Sequence, residues 1–213
     1  MGYRRKIIET LESRRKASDV LLATGRFATE VARCRELKIA VSGAHQTGKT
    51  TLIGDLSGSL PTFEAVDEPY YLLEAEGHSF AEMPCLEDFD MQLERSIKSI
   101  VESDGDSIFD RCPADLLAYL ISHDESAGIS VDRWLPRARD AMRQIDLVVF
   151  VPIENPDRVT VSATDHGSLR RRVDEELRDI VLEDRWTFGV PATEVMGTPG
   201  ERVRQVLANL GET

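Results

Sequence analysis

Short apolar runs alternate along most of the chain with longer segments in which apolar residues recur at helical spacing. Five runs predict β-strands, at 37–42, 62–67, 107–110, 146–151 and 192–196. Helices are predicted at about 85–103, 131–143, 168–185 and 200–210, with a further one opening at Pro113. Because helices of this length separate the strands, the pattern favours βαβ units and a parallel sheet. We therefore predict one α/β domain.

The N-terminal part of the chain differs from the rest in pattern and in charge. An apolar stripe predicts helices between about residues 3 and 37, with a break at Thr24-Gly25. Residues 1–38 carry ten Lys or Arg against five acids, whereas the remaining 175 residues carry sixteen against thirty-three. We predict a helical extension at 1–36 and a second unit at 37–213. The basic helices either present a solvated face or bind an acidic partner, which can be another protein or the acidic body itself.

Composition excludes several classes of protein. The chain has 213 residues, a net charge of −12 and three cysteines without a CxxC pair, so neither a disulfide framework nor a zinc site is expected. No apolar run is long enough to span a bilayer, and no secretory signal is recognised, so we expect a cytoplasmic protein that does not bind membranes. The acidic body should repel phosphate backbones, which argues against nucleic acid as a partner.

A phosphate-binding motif follows the first strand. The pattern GxxxxGK[ST] is matched at every fixed position, by Gly43, Gly48, Lys49 and Thr50. Ala44, His45, Gln46 and Thr47 occupy its variable positions, and we expect all eight residues to bind the nucleotide. Glycines let the backbone wrap closely, so that N–H groups and the helix N-terminus face phosphates. Lys49 would reach the β- and γ-phosphates, and the Thr50 hydroxyl would bind Mg²⁺. We predict an ATP site that also includes Thr51, at the start of the following helix.

Two further strand ends carry charged residues. Asp67-Glu68-Pro69 follows the second strand and Asp110-Arg111-Cys112-Pro113 follows the third. Since ligands of doubly wound sheets bind at the carboxyl ends of the strands, both groups should face the phosphates. Carboxylates there can hold Mg²⁺ or accept a proton, and an arginine can clamp an anion. The alternatives are an acidic turn before Pro69, and a helix cap beside a surface arginine.

The phosphate loop, the Glu-Pro and the Asp-Arg together resemble the thymidylate kinase and deoxynucleoside kinase group of P-loop kinases. The resemblance is strongest in residues 109–119 and covers about 37–210. The chain also resembles the broader kinase-like AAA-type ATPases, including the kinase half of nicotinamide riboside-phosphorylating proteins. This resemblance implies a P-loop NTPase fold with a three-layer α/β/α architecture and a five-stranded parallel sheet of order 2-3-1-4-5.

The same resemblance implies roles for individual residues. Glu68 would be the catalytic base, Asp110 would hold Mg²⁺, and Arg111 would clamp the acceptor or the transferred phosphoryl group. Residues 168–176 resemble an arginine-bearing lid, from which we take Arg171 as the candidate; an exposed helix with i,i+4 ion pairs is the competing interpretation. The turn containing Thr198 and Pro199 would contact adenine by analogy, and a homodimer through the helix at 85–103 is also typical of the group.

These observations predict a kinase that transfers the γ-phosphoryl group of ATP, with Mg²⁺, to a small nucleoside- or nucleotide-like acceptor. The alternative is an ATP-binding and hydrolysing regulatory module that gates a protein partner through its basic N-terminal helices. Phosphorylation of nucleic-acid ends is disfavoured by the charge of the body.

Overall fold

A computed structural model of the chain describes residues 36–80, 85–123, 130–157 and 167–211. Five parallel strands form one sheet in the order β2-β3-β1-β4-β5. The strands are β1 (Lys38–Ser42), β2 (Glu64–Val66), β3 (Ser107–Asp110), β4 (Leu147–Phe150) and β5 (Ala192–Glu194). The predicted fold class and strand order are confirmed. The helices predicted before residue 36 lie outside the described residues.

Helices cover both faces of the sheet. They are α1 (Lys49–Ser59), α2 (Pro69–Ala75), α3 (Leu86–Glu102), α4 (Pro113–His123), α5 (Leu135–Met142), α6 (Gly167–Val181) and α7 (Pro199–Leu210). In the described part of the chain, no helix is long and apolar enough to cross a bilayer.

Two helices differ from the sequence prediction, each because of a proline. The segment predicted as one helix at 131–143 is a 3₁₀ turn (Val131–Arg133) followed by α5, whose first turn contains Pro136. Helix α2 was not predicted: Pro69 ends the extended segment after β2, but it also opens a helix, since its fixed φ suits the first helical turn.

The sheet divides the core into two apolar layers. In β1 the side chain of Ala40 faces one layer, while Ile39 and Val41 face the other. Helices α3, α4, α5 and α6 fill the first layer, and α1 and α7 fill the second. All residues of the central strands β1, β3 and β4 are buried. This double cover makes the sheet a rigid platform, so that loops at the carboxyl ends of its strands are held in place.

Candidate nucleotide-binding and phosphoryl-transfer site

The motif at 43–50 forms a tight loop between β1 and α1. A β-carbon at Gly43 would lie 2.4 Å from the carbonyl oxygen of Val151, which follows β4, so only glycine fits there. Gly48 has φ +90° and forms the N-cap of α1, a backbone conformation that favours glycine. The two fixed glycines of the motif therefore let the loop pack against the sheet and turn directly into a helix N-terminus, which attracts anions.

Two buried arginines bind the carbonyl groups of this loop. Arg170 of α6 donates to the carbonyl oxygens of His45 at 2.9 Å and Gln46 at 3.1 Å. Arg202 of α7 donates to the carbonyl oxygen of Thr47 at 2.7 Å. These guanidinium groups fix the loop between α6 and α7, and each is also paired with a carboxylate, Arg170 with Asp157 and Arg202 with Glu154.

The three arginines of the predicted lid lie in different surroundings. Residues 170–172 are consecutive arginines, and the structure brings Arg170 to the phosphate loop, whereas Arg171 is exposed to solvent. Arg172 donates to the carbonyl oxygen of Ser122 in α4. Consecutive residues of a helix point about 100° apart, so only one of the three can face the loop. The catalytic role of Arg171 stays a prediction, and Arg202 was not singled out from the sequence at all.

The turn before α7 lies beside the phosphate loop. Arg202, which binds Thr47, also donates to the carbonyl oxygen of Gly197 at 3.1 Å and to Glu154 at 2.9 Å. Glu154 accepts the Gly197 N–H at 2.7 Å. Thr198 and Pro199 then open α7, with Thr198 and Glu201 forming a capping box. The turn predicted to contact adenine is thus connected to the loop by the Arg202–Glu154 ion pair.

Lys49 is buried at the start of α1. Its Nζ donates to the carbonyl oxygen of Ala44 at 2.9 Å, and the residue is 5% exposed. Burial, assisted by the nearby Arg111, lowers the pKa of Lys49 from 10.5 to about 8. The site therefore holds a cation that lacks sufficient negative charge around it, which the phosphates of a nucleotide would supply.

This electrostatic state predicts that ATP binding takes up a proton at mildly alkaline pH. Without nucleotide, Lys49 loses its proton above its pKa of about 8; bound phosphates favour the ammonium form and raise that pKa. At about pH 8.5 we expect wild-type protein to take up more than half a proton per ATP bound. Calorimetric titrations in buffers of different ionisation enthalpy measure this uptake.

The matched control for proton uptake is Lys49→Arg, because a guanidinium stays protonated throughout this range. The variant should bind ATP without uptake near pH 8.5. Equal uptake by both proteins would assign the proton to another group, and no uptake by the wild type would contradict the lowered pKa.

Thr50 and Asp110 form a pair suited to Mg²⁺. The Thr50 hydroxyl donates to Asp110 Oδ2 at 3.1 Å, while Oδ1 of the same carboxylate is buried without a hydrogen-bond partner among the described residues. Burial raises the pKa of Asp110, and the negative charge of Glu68 adds to this effect. A cation beside this carboxylate would stabilise its ionised form, against both the burial and the repulsion by Glu68. Hydroxyl and carboxylate oxygens are ligands that Mg²⁺ prefers, so the residues fit the ion.

These two residues would not enclose the ion. In the described residues, no group of three or more His, Cys, Asp or Glu side chains is arranged to hold a metal. Mg²⁺ would therefore take its remaining ligands from phosphate oxygens and water, as is usual for this ion at nucleotide sites.

Glu68 and Arg111 form the second charged pair of the site. Arg111 Nε donates to Glu68 Oε1 at 2.6 Å, and its Nη1 donates to the Gly43 carbonyl oxygen at 3.1 Å. Burial alone would raise the pKa of Glu68, but the charges of Arg111 and Lys49 outweigh it and hold that pKa below its ordinary value. Glu68 is consequently an ionised carboxylate beside the phosphate loop. Asp67, its neighbour, is exposed.

Arg111 is held in a backbone conformation that is rare for a side-chain-bearing residue. It has φ +77°, and its N–H donates to the Val41 carbonyl oxygen at 3.0 Å. The residue is 6% exposed, with its guanidinium stacked 5.0 Å from the ring centroid of Tyr119. Such strain persists only where the surroundings impose it, and it is frequent at functional sites.

Asp115 and Tyr119 also belong to the site, although the sequence assigned them no role. Asp115 is fully buried and accepts the N–H groups of Gly43 and Cys112, both at 3.0 Å. The Tyr119 hydroxyl accepts the His45 N–H at 3.0 Å. These residues are four apart on α4, so they share a face of that helix. The four-residue spacing of Asp115 and Tyr119, in the helix that directly follows Asp-Arg-Cys-Pro, is the sequence feature that could have assigned both residues to the site.

Comparisons with known proteins identify the family and the fold of the chain. A family model described as AAA domain matches residues 38–202. Deoxyadenosine kinase from M. mycoides, solved with dCMP and dCDP, is 13% identical, with a TM-score of 0.58 over 82% of this chain and 98% of that chain. A comparison with curated proteins gave no match.

Two further solved structures have the same fold. Thymidylate kinase from Candida albicans is 13% identical, with a TM-score of 0.58 over 83% of this chain and 92% of that chain. The NadR protein in complex with NR is 16% identical, with a TM-score of 0.58 over 84% of this chain and 50% of that chain. At these identities the similarity establishes the fold, which is that of P-loop nucleotide kinases.

Proposed function

The chain belongs to the AAA domain family, and on that premise we propose that it is a kinase that transfers the γ-phosphoryl group of ATP to a small nucleoside- or nucleotide-like acceptor, with Mg²⁺. The observation that carries the proposal is the placement of Glu68. A site that only bound ATP would need the phosphate loop, Lys49 and the Thr50–Asp110 pair. Glu68 is an additional carboxylate kept ionised beside that loop by Arg111.

The two carboxylates have environments that push their pKa values in opposite directions. The pKa of Asp110 is raised, mainly by burial, while that of Glu68 is lowered because Arg111 and Lys49 outweigh burial. Such a divergence is typical of sites in which two acids have different roles. In this proposal Glu68 accepts the proton of an acceptor hydroxyl, and Asp110 with Thr50 would hold Mg²⁺, which would neutralise phosphate charge.

The remaining residues bind and orient the phosphates. Lys49 contacts the β- and γ-phosphates, whose charge favours its ammonium form, and the loop N–H groups and the N-terminus of α1 bind the other phosphate oxygens. Arg111 lies between Glu68 and the phosphate loop, so it can hold the acceptor and the transferred group on the same side of the sheet. Arg170 and Arg202 keep the loop rigid, which preserves this alignment.

The class of acceptor is inferred from the fold neighbours. The M. mycoides enzyme was solved with deoxycytidine nucleotides and NadR with NR. We therefore propose a sugar-bearing acceptor with a free hydroxyl or a terminal phosphate. The alternative remains a regulatory ATPase module, whose ATP turnover would not depend on any small acceptor.

The test is phosphoryl transfer from ATP·Mg²⁺ to a pooled panel of nucleosides, nucleotides and pyridine ribosides, with products identified by mass. We expect one panel member to gain a phosphoryl group with wild-type protein and none to do so with Lys49→Ala. ADP formed at a slow rate that no panel member accelerates would contradict the kinase proposal and favour the regulatory module.

A further inference from the structure

Helix α4 is attached to the phosphate loop through two of its side chains, which lie four residues apart on one face of the helix. Asp115 Oδ1 accepts the Gly43 N–H at 3.0 Å, and the Tyr119 hydroxyl oxygen accepts the His45 N–H at 3.0 Å. Asp115 is fully buried and Tyr119 is nearly so. These two hydrogen bonds anchor the first half of the loop to α4, in the interior of the domain.

The same two side chains also contact Arg111. Asp115 Oδ1 lies 3.6 Å from Arg111 Nη1, and Arg111 Nη2 lies 3.5 Å from the Tyr119 hydroxyl, above whose ring the guanidinium is stacked. A hydroxyl oxygen has two acceptor lone pairs, so that of Tyr119 can accept from the loop and from Arg111 together. Each residue of the pair therefore binds the phosphate loop and the arginine at once.

Asp115 also fixes the backbone around Arg111. The residue after Arg111 is Cys112, whose N–H donates to Asp115 Oδ2 at 3.0 Å. Arg111 itself has φ +77°, a conformation that a residue with a β-carbon keeps only where its surroundings impose it. One oxygen of the buried carboxylate thus holds the loop and the Arg111 side chain, and the other holds the peptide that follows Arg111.

A base at position 68 creates a need for this second carboxylate. Arg111 Nε is paired with Glu68 at 2.6 Å, and the Arg111 side chain is 5% exposed. When Glu68 accepts a proton it becomes neutral, and a buried guanidinium that loses its partner is strongly destabilised. Asp115 keeps a negative charge 3.6 Å from the same guanidinium, so Arg111 stays paired and in place during the proton transfer.

We propose that Asp115 and Tyr119 are positioning residues that lock Arg111 to the phosphate loop, so that the Glu68–Arg111 pair keeps a fixed place relative to the transferred phosphoryl group. The inference rests on the proposed kinase function for its effect on transfer, whereas the locking of Arg111 is independent of that function. Neither residue has to touch a substrate, since both act through Arg111.

The locking of Arg111 is tested by NMR in the full chain without nucleotide, with Arg111→Lys assigning the Arg111 Nε–H signal by its loss. Tyr119→Phe removes one oxygen and keeps the ring, and it should make the Arg111 Nε–H exchange with water about tenfold faster, because the side chain opens more often. Tyr71→Phe makes the same change at a residue that is 60% exposed and should leave the rate unchanged. Unchanged exchange in Tyr119→Phe, or an equal increase in both variants, would overturn the inference.

The effect on catalysis is tested by a double-mutant cycle in the phosphoryl-transfer assay. Asp115→Asn keeps the size of the side chain and removes its charge, so it should lower kcat by about tenfold. In an Arg111→Ala background the same substitution should lower kcat less than about threefold, because its effect passes through Arg111. Asp140→Asn, in an exposed carboxylate of α5, is the matched control and should transfer at the wild-type rate. Equal losses from Asp115→Asn in both backgrounds would show a merely structural role.

The two tests separate this inference from the proposed function. If wild-type protein transfers a phosphoryl group to no acceptor, the proposed function is contradicted, and the exchange rate of the Arg111 Nε–H still decides whether the arginine is locked. If wild-type protein is active and neither Asp115→Asn nor Tyr119→Phe lowers transfer, the kinase proposal stands and the positioning role is wrong. Tyr119→Phe is carried through the same cycle, so the decision does not depend on whether Asp115→Asn folds.

Discussion

Replacing Lys49 with alanine is expected to lower phosphoryl transfer by about a thousandfold or more while leaving the protein folded. The ammonium group lies in a buried site next to the phosphate loop, where no other described lysine approaches the motif. Charge that develops on the transferred group in the transition state would lose the ammonium group that the proposal places against it. Steady-state transfer assays measure the loss, and circular dichroism with thermal unfolding verifies the fold.

The lowered pKa of Lys49 also predicts the direction in which Lys49→Ala changes the stability of the protein. The pKa of Lys49 is about 8 in the folded protein and 10.5 when unfolded, so the unfolded chain binds this proton more tightly. Its contribution to stability therefore rises with pH between about 8 and 10.5, and it is least favourable below pH 8. At neutral pH Lys49→Ala removes a poorly solvated charge, so its melting temperature should not fall below that of the wild type.

Lys98→Ala is the matched control, because Lys98 is an exposed lysine on α3 outside the site. It should retain wild-type transfer. Wild-type rates in Lys49→Ala would contradict the assignment of the phosphate loop, and an unfolded variant would contradict the argument from its lowered pKa.

The fold was predictable because its signals are local. Buried central strands such as Leu147–Phe150 have continuous apolar runs. The phosphate-binding motif between β1 and α1 indicates which end of the parallel sheet carries the site. Helix α2 was missed because a proline such as Pro69 can end an extended segment without a helix after it, or can begin a helix. The burial of Leu73 in the folded protein distinguishes these two possibilities, and the sequence does not show it.

The site was predictable in part, for a different reason. Asp110 ends β3, and Lys49, Glu68 and Arg111 come after the ends of β1, β2 and β3. The topology of the parallel sheet therefore brings all four to the carboxyl ends of the strands. Arg202 is 155 positions from Thr47, to which it binds, and no local pattern connects the two. Arg170 illustrates a finer limit: periodicity located the arginine-rich helix, but the rotation of α6 against the loop decides which guanidinium faces it.

Replacing Glu68 with glutamine is expected to lower transfer by about 10²–10⁴-fold while changing the dissociation constant for ATP far less. The amide is nearly isosteric, and its oxygen can still accept the Arg111 Nε hydrogen bond that the structure gives Glu68 at 2.6 Å. What it cannot do is accept a proton from an acceptor hydroxyl. Transfer rates and equilibrium ATP binding, measured on the same preparation, separate the two effects.

Asp67→Asn provides the control, because it makes the same chemical change one residue earlier in an exposed carboxylate. It should transfer the phosphoryl group at the wild-type rate. Parallel losses of transfer and ATP binding in Glu68→Gln would instead make Glu68 a structural partner of Arg111 or a participant in metal binding.

The acid sensitivity of the protein offers an independent check on the charge of Glu68. Its pKa is lowered in the folded protein, because the attraction of Arg111 and Lys49 outweighs burial. Its stabilising contribution is therefore present near neutral pH and is lost as the pH falls through the folded-state pKa. The Glu68→Gln variant lacks this contribution, so acidification should destabilise it less than it destabilises the wild type. An identical pH dependence of stability in the two proteins would show that Glu68 is not held ionised by Arg111, and its proposed role as base would lose its support.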